Sequence, residues 1–144
     1  MRRADSAQLV WDALADAQEE GRPGLTKGQI ARVTGLGFSQ ITYALGYIDD
    51  VLQLKEGRPR AYHPYRRLYT LSGTWAEHQP YKDVRFKSIM TQLKRYESNL
   101  TAAAMAFKDP DDQEEIHQEL GSLRGIISQI EHSLMTKRRA KANS

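Results

Sequence analysis

The sequence predicts a mainly α chain that carries one small β-hairpin and, in its second half, a long antiparallel pair of helices. Three observations predict it. Apolar residues recur at helical spacing in three short stretches before Asp50. Short β-compatible runs then flank a segment containing Gly57, Pro59 and Pro64. From Phe86 onward, large apolar residues step by three and four through two stretches joined at Asp109-Pro110. With 144 residues the chain has room for one small domain and an appendage, which excludes a large multidomain enzyme.

Taken in order, Leu9, Val10, Ala13, Leu14 and Ala17 mark a first amphipathic helix from about Ala4 to Glu20, stopped by Gly21-Arg22-Pro23-Gly24. Thr26 is a natural N-cap for a second helix reaching about Val33, because Gln29 stands three residues on and Leu25 just before. Thr34-Gly35-Leu36-Gly37 breaks it. A third helix opens at Phe38 or Ser39 and hides Ile41, Leu45, Ile48 and Leu52 on one face. Val51 to Lys55 and Arg67 to Leu71 then read as the strands of a hairpin. Its long tip, Glu56 to Arg66, is expected to be a mobile basic loop with Arg58, Arg60, His63 and Arg66. A domain join falls near Ser72-Gly73-Thr74, dividing the chain into residues 1–74 and 75–144.

In the second half, Phe86, Ile89 or Met90, Leu93, Tyr96, Leu100, Ala103 and Phe107 form one narrow seam. Asp109 caps the next helix and Pro110 takes its first position, with Asp111, Asp112, Glu114 and Glu115 near the positive end of the dipole. Ile116, Leu120, Leu123, Ile127, Ile130 and Leu134 continue the seam, and Lys137, Arg138 and Arg139 close the helix with cations, a basic tail. A two-helix hairpin this narrow is expected to lay its rows against a second copy. Ile89, Leu93, Tyr96, Leu100, Phe107, Ile116, Leu120, Leu123, Ile127, Ile130 and Leu134 are thus the candidate dimerisation residues.

Composition excludes several chemistries. There is no cysteine, so disulfides, thiolate nucleophiles and Cys-held metals are absent, in keeping with a reducing compartment. The opening MRRADSAQLVWDALADAQEEG mixes acids into its apolar positions and is expected to be neither a signal peptide nor an anchor, which suggests a cytoplasmic protein with no membrane partner. Glu114 and His117 have the spacing of half a di-metal carboxylate site, but no second such motif exists. His63, His78 and His132 lack a nearby Ser with an acid, and Gly35-Leu36-Gly37 lacks a preceding strand. No catalysis, metal or cofactor is expected. Trp11 and Trp75 read as packing anchors, and Tyr62, Tyr65, Tyr69, Trp75 and Tyr81 cluster near the join, where an effector ligand is left open.

The net charge of +3 permits a nucleic-acid partner without requiring one, so its distribution decides. Between Gly21 and Gly73, eight cations (Arg22, Lys27, Arg32, Lys55, Arg58, Arg60, Arg66 and Arg67) face three acids (Asp49, Asp50 and Glu56), a local balance of +5. Hiding Ile41, Leu45 and Ile48 turns Ser39, Gln40, Thr42, Tyr43 and Gly46 outward, a polar face with no acid before Asp49. Gln pairs with adenine, Ser and Thr contact bases or phosphates, and Gly lets a backbone approach closely.

The stretch LTKGQIARVTGLGFSQITYALGYIDDVLQL resembles the second helix, turn and recognition helix of winged helix-turn-helix proteins. EGRPR followed by RRLYTLSG resembles the wing of the MarR and PadR groups. The resemblance covers about residues 5 to 73 and departs from the pattern where Ala61-Tyr62-His63-Pro64-Tyr65 lengthens the wing. It implies a winged helix-turn-helix followed by a two-helix dimerisation hairpin, and a sequence-specific double-stranded DNA-binding protein. That protein would be a homodimeric transcriptional regulator, a repressor in the first instance, acting on a palindromic site in the cytoplasm at the nucleoid. Thr26, Lys27, Ser39, Gln40, Thr42, Tyr43, Tyr47, Lys55, Arg58, Arg60, Arg66 and Arg67 are the candidate DNA contacts. The alternatives are a replication or partition factor that binds DNA, and a non-catalytic adaptor holding a protein through the helical hairpin.

Overall fold

The computed structural model describes residues 2–142, with side chains through Leu134. Its elements are α1 (Arg3–Glu19), α2 (Lys27–Thr34), α3 (Phe38–Tyr47), a π-helical segment (Ile48–Leu52), α4 (Gln53–Glu56), β1 (Arg60–His63), β2 (Leu68–Leu71), α5 (Trp75–Ala106) and α6 (Pro110–Ala142). The chain is mainly helical, with one two-stranded antiparallel sheet and a long helix pair at its C-terminal end. It divides into two compact units, Met1–Asp83 and Val84–Ser144, and α5 begins in the first and ends in the second.

The first unit is built around one face of α1. Ala7, Val10, Trp11, Leu14 and Ala17 are buried there with Ile30 of α2, Ile41, Ala44 and Leu45 of α3, and Leu71 of β2. Trp11 is the packing anchor its place in the row implies, whereas Leu9, a member of the same row, is 38% exposed. The caps follow from local chemistry. Thr26 Oγ1 accepts from the Gln29 amide at 3.2 Å and Gln29 Oε1 accepts from the Thr26 amide at 2.8 Å, so two of the orphan donors of α2 are satisfied reciprocally. Leu25 pairs with Tyr69 through both backbone bonds, which ties the chain before α2 to β2. Gly24 is required for that approach: at φ +148, a Cβ would stand 2.7 Å from the Tyr69 carbonyl oxygen.

After α3 the structure departs from the sequence reading. Val51 to Lys55 is not a strand: helix continues through the π segment and α4, and Gly57 ends it in the left-handed region. The cause is tertiary. Ile48 and Leu52 extend the buried stripe of Ile41 and Leu45 by steps of three and four, while Val51 and Leu54 face solvent, so the β-compatible run is overridden by the face that hides Leu52. The hairpin consequently starts later. Arg60 pairs with Leu71, Ala61 with Thr70, Tyr62 with Tyr69 and His63 with Leu68, which leaves a short turn at Pro64 to Arg67 in place of a long tip. Arg66 and Arg67 stand in that turn, whereas Arg58 precedes β1 and Arg60 opens it.

In the second unit, Leu100 of α5 and Leu120, Leu123 and Ile127 of α6 form a buried cluster, flanked by Met90, Leu93 and Ile116. Asp109 Oδ2 accepts from the amides of Asp111 and Asp112 at 3.2 and 3.4 Å, and Gln113 Nε2 donates to the carbonyls of Ala104, at 2.6 Å, and Phe107. Both helix ends are thereby closed in one turn. Lys94 meets Glu131 at 3.0 Å, and Arg124 meets Glu97 at 3.9 Å. This corrects the expectation that the whole seam is spent on a partner: Leu100, Leu120, Leu123 and Ile127 are used between the two helices of the hairpin. Ile130 and Leu134 are half-buried, and Ile89, Tyr96 and Phe107 remain exposed. The cationic side chains Lys137, Arg138 and Arg139 lie outside the described side chains.

Candidate nucleic-acid interface

Packing of α3 fixes what it shows. With Ile41, Ala44, Leu45 and Ile48 buried, Phe38, Ser39, Gln40, Thr42 and Tyr43 stand in solvent, Tyr43 at 69% exposure. The acid-free polar face read from spacing is therefore present. No acid lies on α3, and its dipole directs a positive end toward Gly37 and Phe38.

Within that face, several side chains are already engaged. Gln40 Oε1 accepts from the Gly37 amide at 2.9 Å, because Gly37 has no side chain with which to cap the helix. Gln40 is exposed but one lone pair of its acceptor is taken and its amide plane is fixed by the cap, so the bidentate adenine pairing expected of it has to share that oxygen with Gly37. Its Nε2 is free among the described residues. Thr42 Oγ1 donates to the Phe38 carbonyl at 3.1 Å and accepts from Lys27 Nζ at 2.6 Å, while the Lys27 ammonium lies 5.5 Å from the Phe38 ring centre. Lys27 thus reaches α3 from α2 and holds its charge beside the exposed ring. Thr26 is occupied by its cap, and Tyr47 is half-buried against the core.

The hairpin cations divide into two groups. Arg60 lays both ends of its guanidinium on Asp49, Nε to Oδ1 and Nη2 to Oδ2 at 2.6 Å each, and its side chain is only 10% exposed. Burial acts to lower its pKa, but the paired Asp49 outweighs it and the net direction is upward, so the charge stays and is internally neutralised. Arg58 donates to Gln18 Oε1, and its partner Gln18 Nε2 donates to the Leu71 carbonyl at 2.9 Å. Arg60 is accordingly an internal tie in this structure, while Arg58 is half-exposed and bonded to a neutral amide, with its charge unpaired among the described residues. Lys55, Arg66 and Arg67 are the exposed cations of this segment.

Sequence reasoning missed two contributors. Phe38 presents a ring that is 58% exposed at the first turn of α3. Arg3, at the start of α1, donates from Nε to the Tyr43 carbonyl at 3.2 Å and brings its guanidinium to 5.7 Å from the Tyr47 ring centre. Gly46, expected to admit a DNA backbone, admits this guanidinium instead: a Cβ there would stand 2.9 Å from Arg3 Nη2. The one sequence signal for this arrangement was a glycine in an otherwise regular helix.

Near the hairpin base, the five aromatics do not line one pocket. Tyr62 and Tyr69 stack at 4.5 Å, Tyr65 is 98% exposed, and Trp75, at 62% exposure, is not the anchor expected of it. An open groove there is lined by Gln18, Arg58, Ser72, Trp75 and His78, and Ser72 Oγ lies 2.8 Å from His78 Nδ1. His78 thus has a serine beside it, which the sequence did not place there. Partial burial holds the His78 pKa below the usual imidazole value. No carboxylate is bonded to that ring, so no triad is completed. His117 pairs with Gln113 at 3.1 Å. No helix among the described residues is long and apolar enough to cross a membrane.

Comparison with protein-family models, with curated proteins and with solved structures returns no match to this chain, so any functional reading rests on the geometry above.

Proposed function

We propose that the first unit is a winged helix-turn-helix that binds duplex DNA, with α3 as its recognition helix and the β1–β2 hairpin as its wing, in a homodimeric transcriptional regulator of the cytoplasm. One observation carries the reading: α3 buries a single aliphatic stripe and turns outward a face of Ser39, Thr42, Tyr43 and Phe38 with no carboxylate on it. An idle solvent face usually carries mixed Lys and Glu; this one carries hydroxyls, rings and an amide, which suit base edges and thymine methyls. Arg66 and Arg67 in the exposed turn, Lys55, Arg32 and Lys27 supply phosphate-directed charge. The exposed apolar residues of the second unit support pairing with a second copy, and a two-fold pair would match a palindromic site.

The experiment is a mobility shift on random duplex from about 50 to 200 mM salt, where a protein contacting several phosphates loses orders of magnitude in affinity. Arg66→Ala with Arg67→Ala is expected to weaken binding to every sequence alike and to flatten the salt slope by roughly two contacts. No retardation at the lowest salt would remove the DNA reading. It would leave the adaptor reading, which the exposed Ile89, Tyr96, Phe107 and Ile126 favour.

A further inference from the structure

The outward face of α3 has a peculiarity: from Phe38 to Tyr47 the helix has neither Lys nor Arg, yet two cations rest on it. Both are delivered by other helices. Lys27 comes from α2 to Thr42, and Arg3 comes from α1 to the turn of Tyr43 and Gly46. Ser39, Thr42 and Gly46 follow one another by three and four and so share a row. The buried row is Ile41, Ala44, Leu45 and Ile48, and at about 100° per residue Ser39 stands opposite it, with Gly46 and Tyr43 flanking Ser39 on the side facing away.

Arg3 is held over the outward side, between Tyr43 and Gly46, by several independent contacts. Nε donates to the Tyr43 carbonyl at 3.2 Å, Nη2 lies 3.7 Å from Asp50 Oδ2, the Tyr47 ring centre is 5.7 Å away, and the missing Cβ of Gly46 supplies the room. The side chain stays 51% exposed, so part of its donor edge faces solvent. A cation at the margin of such a face meets a phosphate. One standing between the two residues that flank the centre of the face reaches the floor of the groove, where guanine offers two acceptors, O6 and N7, spaced for a guanidinium.

We propose that Arg3 is a base-reading residue of this interface, pairing with a guanine in the major groove from a position prepared by Gly46, Tyr43 and Asp50. The inference rests on the reading of α3 as a recognition helix. It is tested by selecting duplexes from a random pool with the parent, Arg3→Ala, Arg3→Lys, Gly46→Ala and the Arg3→Ala/Gly46→Ala pair, each checked for an unchanged melting midpoint. The parent is expected to enrich a site containing a fixed guanine. Arg3→Ala should lose that preference, with affinity for the selected site falling about 10- to 100-fold and affinity for random duplex nearly constant. Arg3→Lys should keep affinity for random duplex without restoring the guanine. Gly46→Ala, whose methyl displaces the guanidinium, should lose part of the preference in the parent and nothing further in Arg3→Ala. Identical selected sites for the parent and Arg3→Ala would overturn the proposal. A uniform loss on all duplexes would do the same, since it marks a phosphate contact. A parent that retains no duplex at all removes the recognition-helix reading itself, and Arg3's role with it.

Discussion

Removing the Asp49 carboxylate strands the Arg60 guanidinium, which has only a tenth of its side chain in solvent and is bonded to no other acid among the described residues. Losing a charge-assisted bond at a largely buried donor costs about 1.5–3 kcal/mol, more than an exposed ion pair could. Asp49→Ala is therefore expected to lower unfolding stability by about 2 kcal/mol in a urea titration, against a near-zero change for Asp50→Ala, whose side chain is 70% exposed. Equal effects would show that Arg60 is solvated. The contrast also marks where sequence could be read at this scale. The Thr26 and Gln29 cap was legible because its partners are three residues apart, within one helical turn. The ties of Arg58 and Arg60 were not, since Gln18 stands 40 residues from the one and Asp49 11 residues from the other. Composition counted two arginines in a basic segment, and only the fold reveals that Arg60 is neutralised by Asp49 and that Arg58 is tied to Gln18.

Among the elements, the helices were legible wherever a stripe of one period ran unbroken, and the reading failed where two periods overlapped. Between Val51 and Lys55 the residues satisfy both. As a strand, Leu52 and Leu54 would share a face and matter alike. As helix, Leu52 is buried to 5% exposure and Leu54 stands at 79%. Leu52→Ala should cost about 2–4 kcal/mol in the same titration and Leu54→Ala about nothing, because only the first leaves a cavity. The register of the hairpin follows from this choice. With helix extended to Glu56, β1 cannot begin before the left-handed turn at Gly57, and Arg66 and Arg67 become the tip. Those two are the exposed cations of the hairpin itself, beside Lys55 on α4, which centres the candidate phosphate contacts on its turn without altering the charge balance that suggested them.

For the molecule as a whole, the second unit poses the question of what its uncovered apolar side is for. Ile89 and Tyr96, seven residues apart, share one side of α5, and Phe107, just past the end of α5 with its amide still bonded to the Ala103 carbonyl, follows eleven residues on in the same direction. The Tyr96 hydroxyl bonds Glu119, and Ile126 lies seven residues beyond Glu119, so α6 adds Ile126 to the same side. The ion pairs of Lys94 with Glu131 and Glu97 with Arg124 occupy the opposite flank. A stable monomer has no use for exposing Ile89 at 42%, Phe107 at 57% and Ile126 at 50% together on one flank, whereas a second hairpin laid there would form a four-helix bundle. The sequence counted all eleven seam residues toward that partner because periodicity identifies apolar rows without saying which row meets the other helix of the same chain. Ile89→Glu with Ile126→Glu separates the two uses. If the exposed side joins two copies, this variant should sediment as a 16.4 kDa monomer with its helix content intact, and should lose the joint gain of two half-sites on palindromic DNA while still binding one. Leu123→Glu, which strikes the row buried inside the hairpin, should instead lose helix content. A parent protein that is itself monomeric at micromolar concentration would remove a second copy as the occupant of the exposed flank, and under the proposed DNA reading each chain would then meet one half-site at a time.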